Sequence, residues 1–309
     1  MLHLRILRYN SRLTRMEKGI QRWIVDISEW NPSPIEFWSA VSVLPKHQHS
    51  SIYRYVKLED RKRALVSRLL QYALVHQVLG IPYNEIVIRS TVEGKPYVHY
   101  DEMRPEFPNF NFSVSHHGDL VAIASEPFCL VGLDIVSHAL PVKETPQQFI
   151  SSFSSHFSSI EWDKIINAGT HYDILQELYR YWSLKESFVK AIGSGLRYKL
   201  DALEFNHVSW TNISVKLLGE ELRQWKFWHF ELRKRYYEYG PTGYRCEHQL
   251  ELWYIIVSIT RGSPHMATEN FKQTLGQTEY DEDEYSLGFN LPNTSFICRS
   301  IEQLIPSEL

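Results

Sequence analysis

The sequence predicts an α+β fold, because patterns typical of helices and of strands occur together along one chain of 309 residues. Two stretches, 57–79 and 174–192, carry apolar residues at helical spacing, and a glycine follows each of them. Between them, residues 110–136 contain three short segments with the alternation or apolar runs of strands. The length is compatible with one large domain, two medium domains or a fused pair of similar halves.

The composition excludes several classes of protein. Aromatic residues make up 14% of the chain, which supplies enough apolar area for a large core and argues against global disorder. A net charge of −3 provides no overall basic field for nucleic acid, and the apolar runs are too short to cross a membrane. The three cysteines lie far apart and form no C-x-x-C pair, so we expect no disulfide scaffold, no zinc ribbon and a reducing compartment.

The first half of the chain begins with residues 1–18, which we expect to form a flexible leader. This leader is basic and poor in acids, so a mitochondrial location is an alternative to the cytoplasmic one that we expect. Ser33 and Glu36 have the spacing of a capping box, which predicts a helix through Val43. Up to residue 90 we predict a strand at 23–27, this helix at 33–43, the long helix at 57–79 and a second strand at 85–89.

The middle of the chain predicts a hairpin. In Phe110–Ser115 apolar and polar residues alternate strictly, and 116–119 form a turn before a second strand at 120–124. A third strand follows at 131–136. Helices are predicted over 151–167 and 174–192, and further strands over 203–205, 213–217, 225–232 and 251–260. The polar residues 263–309 read as a loosely ordered tail, and the sequence leaves open whether it packs on the rest of the protein.

Asp134 is the first candidate for chemistry. It interrupts a strand whose neighbours Leu133 and Ile135 are apolar, and an aspartate is poorly suited to the middle of a strand. A buried carboxylate requires a hydrogen-bonding partner, a basic side chain or a metal ion. The residue is therefore either a ligand of a hard metal ion or a solvent-facing residue on an edge strand, and the pattern alone does not decide between them.

Glu186 and Lys190 lie one turn apart on one face of the predicted helix. Such a pair is usually a surface pair that contributes only about 0.2–0.5 kcal/mol. His116 follows the hydroxyl residues Ser113 and Ser115 at a turn, which suits either a phosphate site or an ordinary exposed turn.

Two further groups are basic. Lys95 lies between Gly94 and Pro96, two residues that restrict the backbone, and would be a cation held in a fixed place. A cluster of basic residues from Arg54 to Arg68 is either a solvated helix face or a local anion site.

In order and spacing, four motifs resemble the 4′-phosphopantetheinyl transferases, in particular the long form that includes the surfactin-synthetase activator and the aminoadipate-semialdehyde-dehydrogenase type. The motifs are G-K-P at 94–96, F-S-V-S-H-H-G at 112–118, V-G-L-D-I at 131–135 and W-S-L-K-E-S-F-V-K-A-I-G at 182–193. The resemblance extends from about Trp23 to Arg261, and residues 296–306 are similar to the tail of the eukaryotic long form.

The resemblance implies a pseudo-twofold pair of similar α/β subdomains, 19–128 and 129–262, with the active site in the cleft between them. It implies transfer of the phosphopantetheine arm of coenzyme A to a serine of an apo carrier domain, with release of 3′,5′-ADP and a requirement for Mg²⁺. Acceptors of the fatty-acid synthase or the aminoadipate reductase type, the latter in lysine biosynthesis, would suit a eukaryotic-type enzyme. We expect a cytoplasmic monomer that binds neither nucleic acid nor a membrane.

The resemblance also assigns roles to individual residues. Asp134 and Glu186 would bind Mg²⁺, Glu186 would take the serine proton, and Lys190 would stabilise the leaving phosphate. His116 would hydrogen-bond a phosphate. Further contacts to coenzyme A are expected from Arg54, Arg89, Ser90, Lys95, Pro96, Ser113 and Ser115, and related enzymes can carry the arginine at the position of Ser90. Val136 departs from a common bacterial pattern, which has a second carboxylate there, and we expect water to replace that ligand.

Two other functions compete with this one. The chain could be a binding protein without catalysis, which would bind coenzyme A and transfer nothing. It could also be another Mg²⁺-dependent phosphotransferase or a pyrophosphohydrolase, which would release 3′,5′-ADP without a carrier.

Overall fold

The computed structural model describes residues 14, 16–99, 107–137, 145–195, 198–239, 245–276 and 282–306. Its helices, in chain order, are α1 Pro34–Ser42, α2 Lys46–Tyr53, α3 Leu58–Leu79, α4 Pro146–Ser152, α5 Ser159–Ile166, α6 His171–Ile192, α7 Glu269–Lys272 and α8 Glu282–Asn290. Its strands are β1 Gln21–Asp26, β2 Val87–Ser90, β3 Pro96–His99, β4 Asn111–His117, β5 Leu120–Glu126, β6 Leu130–Ser137, β7 Leu203–Val208, β8 Thr211–Leu217, β9 Glu220–Glu221, β10 Trp225–Tyr239, β11 Arg245–Gly262 and β12 Ile297–Cys298. This mixture of helices and sheets confirms the predicted α+β class.

Each half pairs one main sheet with one 22-residue helix. In the first half, α3 packs on the sheet β12-β1-β5-β4, and in the second half α6 packs on the sheet β10-β11-β6. Both helices end at a glycine in the left-handed conformation, with φ 67° at Gly80 and 76° at Gly193. A residue with a Cβ is strained there, which explains why the helices stop where the glycines predict.

A row of side chains joins the two sheets. Three residues of β4 accept hydrogen bonds from backbone N–H groups of β6: Asn111 from Val131 at 3.0 Å, Ser113 from Leu133 at 3.0 Å and Ser115 from Ile135 at 3.1 Å. The other edge of β6 pairs with β11. The polar face predicted for 111–115 is thus buried, and it satisfies donors that would otherwise be orphaned at an internal sheet edge.

Buried charges tie the end of the chain to both halves. Glu126 lies between Arg22 and Arg261, and all three side chains are almost fully buried. Arg22 also donates to Asn293 at 3.0 Å, and Arg261 donates to the carbonyl of Leu291. These bonds satisfy charged groups that would be costly to bury alone.

The segment after residue 262 differs from the loosely ordered tail that the sequence predicts. Within its described residues, Phe271, Leu291, Ile301 and Leu304 are buried, and β12 adds to the edge of β1. Single apolar residues in a polar sequence have no periodicity that would predict a helix or a strand. Each of these residues is nevertheless buried in the folded protein. Of the expected leader, residues 1–13 and 15 lie outside the described residues, while Met16 is buried against Phe128 and Leu291.

The predicted helix at 151–167 is in fact two helices, α4 and α5, separated by a short 3-10 turn at Ser154–His156. Ser158 starts α5 with its own capping box to Glu161, which ends any continuous helix before it. The helix α2 and the strand β3 were not predicted, because both are short and α2 has little apolar periodicity.

Gly132 sets the distance between β6 and α6. A Cβ at this position would lie 1.7 Å from the backbone oxygen of Ser187, so the strand and the helix meet backbone to backbone. Any side chain would force these two elements apart.

We therefore expect Gly132→Ala to lower the free energy of unfolding by about 3 kcal/mol, because the added Cβ would overlap the backbone of Ser187. Gly288→Ala is the control, since its Cβ would be 3.4 Å from Phe128, an ordinary contact inside a helix. Denaturant unfolding measures both variants. Equal stability of the two variants would show that β6 and α6 are not in close contact.

Candidate active site

The close approach at Gly132 brings Asp134 of β6 beside the residues Glu186 and Lys190 of α6. The helix is held in this orientation by its buried apolar stripe, which includes Tyr181, Leu184 and Phe188. Its first turn is capped by Thr170, whose side chain accepts from the backbone of Asp173. Glu186 and Lys190 occupy the face directed toward β6, so this pair is not an ordinary surface pair.

Asp134 is buried, with 6% of its surface exposed, and it has two polar partners. The Lys190 ammonium lies 2.6 Å from its Oδ1, and the Ser115 hydroxyl donates to the same oxygen at 3.3 Å. Lys190 also donates to Ser115 Oγ at 3.0 Å. Asp134 is therefore not a solvent-facing residue on an edge strand.

Glu186 is the carboxylate of this group that lacks a partner. It is half-buried and makes no hydrogen bond or ion pair with the residues that the structure describes. Burial raises the pKa of Glu186, the charge of Asp134 raises it further, and Lys190 partly opposes this. Two carboxylates that repel one another in a partly buried place are stabilised by a cation between them.

This donor set fits a magnesium ion. No three His, Cys, Asp or Glu side chains within the described ranges form a metal-binding group. However, Mg²⁺ is commonly bound by one or two carboxylates together with substrate phosphates and water. Asp134 and the unpartnered Glu186 supply two such oxygen donors. Val136 supplies none, because it packs into the apolar core of the second half.

Several of the predicted site residues line one cavity. A cavity of about 260 Å³ lies beside α6, and it is lined by Glu186, Lys190, Lys95, Pro96 and Ser113 among others. A second cavity of about 590 Å³ is lined by Arg89 and Ser90 together with residues 270–276. The hairpin formed by β2 and β3 contributes to both cavities.

The predicted residues of β4 lie on both faces of this strand. Ser113 and Ser115 face β6, and their oxygens accept from its backbone. His116 lies on the opposite face of β4 with part of its side chain exposed, and desolvation of the imidazole by its neighbours, followed by the charges of Arg63 and Lys190, lowers its pKa. Arg54 is exposed, and it donates to the hydroxyl of Tyr55 at 2.8 Å.

Lys95 is directed inward. Its side chain is buried, and the amine donates to the backbone oxygens of Val131 and Lys190, each at 2.8 Å. Burial, followed by the charge of Lys190, lowers the pKa of Lys95 to about 7. The amine of Lys95 is thus held in one place by backbone carbonyls.

Sequence reasoning missed two residues that shape the site. The alternation predicts that Asn111 lies on the polar face of a strand. It does not predict that Asn111 accepts a hydrogen bond from the backbone of β6. Phe271 lies in the tail, and its ring is 5.1 Å from the Lys95 amine. The signal for Asn111 was the unbroken series of small polar residues at alternate positions; Phe271 gave no signal.

The lowered pKa of Lys95 predicts a dependence of stability on pH. A lysine in an unfolded chain titrates near ~10.4. Between pH 7 and this value the unfolded state binds more protons at this site than the folded state, so folding becomes more favourable as pH rises. We expect the difference in free energy of unfolding between the wild type and Lys95→Met to grow over this window and to be constant below it. Denaturant titrations at several pH values measure it, and a constant difference throughout would contradict the lowered pKa.

Comparisons with known proteins agree with this geometry. A family model described as "4'-phosphopantetheinyl transferase, N-terminal" matches residues 28–128, and one described as "4'-phosphopantetheinyl transferase superfamily" matches residues 130–246. The "L-aminoadipate-semialdehyde dehydrogenase-phosphopantetheinyl transferase" of Rattus norvegicus and that of Homo sapiens are each 36% identical over 215 residues, which is 67% of this chain and 69% of theirs. A "Phosphopantetheinyl transferase" of a Thraustochytrium species is 30% identical over 192 residues, covering 60% of this chain and 65% of its own.

The two family matches meet at residues 128–130, close to the boundary between the two main sheets. The motifs that carry the resemblance, at 94–96, 112–118, 131–135 and 182–193, contribute the residues that meet around Asp134. The chain therefore belongs to the 4′-phosphopantetheinyl transferase family, as a transferase of the long type.

Proposed function

We propose that this enzyme transfers the 4′-phosphopantetheine arm of coenzyme A to a serine of an apo carrier domain. The observation that carries the proposal is the meeting of Asp134, Lys190 and an unpartnered Glu186 beside one cavity. This arrangement combines oxygen donors for a metal ion, a cation for a phosphate and a free base.

The reaction exchanges one P–O bond for another. The serine oxygen bonds to the phosphorus that carries the pantetheine arm, the bond from this phosphorus to 3′,5′-ADP breaks, and the serine proton leaves. Glu186 accepts that proton; this role is supported by the lack of a hydrogen bond or ion pair from any described side chain to its carboxylate. The Lys190 ammonium, which also lines the cavity, stabilises the charge that accumulates on the phosphate oxygens of the leaving group. A magnesium ion held by Asp134 and Glu186 would neutralise charge on the pyrophosphate.

The partners follow from the same proposal. Coenzyme A is the donor, and a carrier domain of the aminoadipate reductase or fatty-acid synthase type is the acceptor. The printed names of the similar rat and human proteins favour the first of these. No helix within the described ranges could span a membrane. We propose a cytoplasmic location, which suits the exposed free thiol of Cys298.

Incubation of the protein with coenzyme A, Mg²⁺ and a panel of apo carrier domains tests the transfer. Intact mass spectrometry should detect one added phosphopantetheinyl group on at least one carrier, together with 3′,5′-ADP. Binding of coenzyme A without a mass gain on any carrier would favour a binding protein. Release of 3′,5′-ADP in the absence of a carrier would favour a pyrophosphohydrolase.

We expect Asp134→Ala and Glu186→Gln each to slow transfer by more than about a hundredfold, because each removes an oxygen donor or base used in the transition state. Glu177→Gln is the matched control. It removes a carboxylate from the same helix, where Glu177 pairs with Arg180 away from the cavity. Initial rates at equal fold content, checked by circular dichroism, give the comparison. Turnover close to the wild-type rate in either site variant would exclude the assigned roles.

A further inference from the structure

The Lys95 amine is bound by two backbone oxygens of the other half of the chain. One belongs to Val131 of β6 and the other to Lys190 of α6, each at 2.8 Å. Lys95 itself lies in the hairpin between β2 and β3, in the first half. One side chain therefore links the first half to both elements that carry the site.

These two carbonyls are close to the reacting groups. Val131 precedes Asp134 by three residues on the same strand, and the second carbonyl belongs to Lys190 itself. Lys190 Nζ and Asp134 Oδ1 are 2.6 Å apart, so a shift of either backbone changes the distance and angle of this ion pair. The position of the Lys95 amine thus bears directly on the geometry of this ion pair.

Residues of the tail, after residue 262, cover the Lys95 amine. The Phe271 ring lies 5.1 Å from Lys95 Nζ and packs on Gly193, where an added Cβ would be 3.1 Å from the ring. Next to it, the Thr268 N–H donates to the carbonyl of Ile192 at 2.9 Å. The amine is therefore enclosed by the end of α6, by β6 and by a tail aromatic.

We propose that Lys95 is a positioning residue, which fixes the backbones of Lys190 and Val131 through these two hydrogen bonds and makes no direct contact with a phosphate. This inference rests on the proposed transfer reaction. The lysine of the G-K-P motif thus maintains the geometry of the ion pair between Lys190 and Asp134.

Two properties of Lys95 support a positioning role over a direct one. Only 6% of its surface is exposed, and its N–H groups are directed at carbonyls. Its pKa of about 7 leaves part of the population neutral near pH 7, and a neutral amine is a weak partner for a phosphate.

Steady-state kinetics of Lys95→Met separate the two roles. We expect kcat to fall about tenfold to a hundredfold while KM for coenzyme A changes less than about threefold, because misplacement by a fraction of an ångström affects mainly the transition state. Lys62→Met is the matched control: Lys62 is equally buried, but it packs on Trp30, with its amine 5.9 Å from the ring. A rise in KM with kcat unchanged would overturn the proposal.

A double-mutant cycle tests whether Lys95 acts through Lys190. In the Lys190→Ala background, Lys95→Met should reduce kcat much less than it does in the wild type, because the side chain that it positions is gone. Two independent phosphate contacts would instead give effects that multiply. Multiplied effects would therefore contradict the proposal.

Hydrogen exchange provides a measurement that requires no transfer activity. In Lys95→Met, backbone amides in a peptide covering 187–195 should exchange faster than in the wild type, and Lys62→Met should leave this peptide unchanged. Unchanged exchange in Lys95→Met would show that the two hydrogen bonds do not hold the end of α6. This result stands even if the wild type transfers nothing to any carrier, so the two proposals can fail separately.

Discussion

The arrangement of this protein depends on the row of hydrogen bonds from β6 to the side chains of β4. The N–H groups of alternate residues in β6 point away from β11, and an edge buried between two sheets would leave them without acceptors. Asn111, Ser113 and Ser115 supply the acceptors at a constant offset of 20 residues, which fixes the register of the two strands. These side chains thereby join two sheets between which the described residues form no backbone ladder.

The register of β4 and β6 determines where the side chains of the site lie. Ser115 is the last acceptor in the row, and its hydroxyl also contacts Asp134 and Lys190. The same oxygen therefore holds the strand and orients the ion pair. The absence of a side chain at Gly132 then lets α6 approach from the other side of β6. Strand register, helix approach and charge pairing are three consequences of small residues at a few alternate positions.

Those parts of the fold and of the site that depend on neighbouring residues in the sequence could be predicted. Periodicity located α3 and α6, their glycines located the ends, and Asp134 stood out as a carboxylate in an apolar strand. The direction of Lys95 could not be predicted, because its acceptors are 36 and 95 residues further along the chain. Phe271 and Leu304 gave no signal for the same reason: each is a single apolar residue whose partners are distant. The alternation of β4 predicts that His116 lies on the face opposite Ser113 and Ser115, and the structure has this arrangement.

The contact of the tail with the first strand has a consequence for biosynthesis. On the outer edge of β1, Ile24 pairs with Cys298 and its carbonyl accepts from Arg299, while Arg22 donates to Asn293. A ribosome synthesises the chain from its N-terminal side, so the first sheet is completed only after residues 293–298 have been synthesised. Until then a charged side chain and an open strand edge stay unsatisfied in the nascent chain. Residues 293–298 therefore complete the contacts of β1 later than the residues of the first half do.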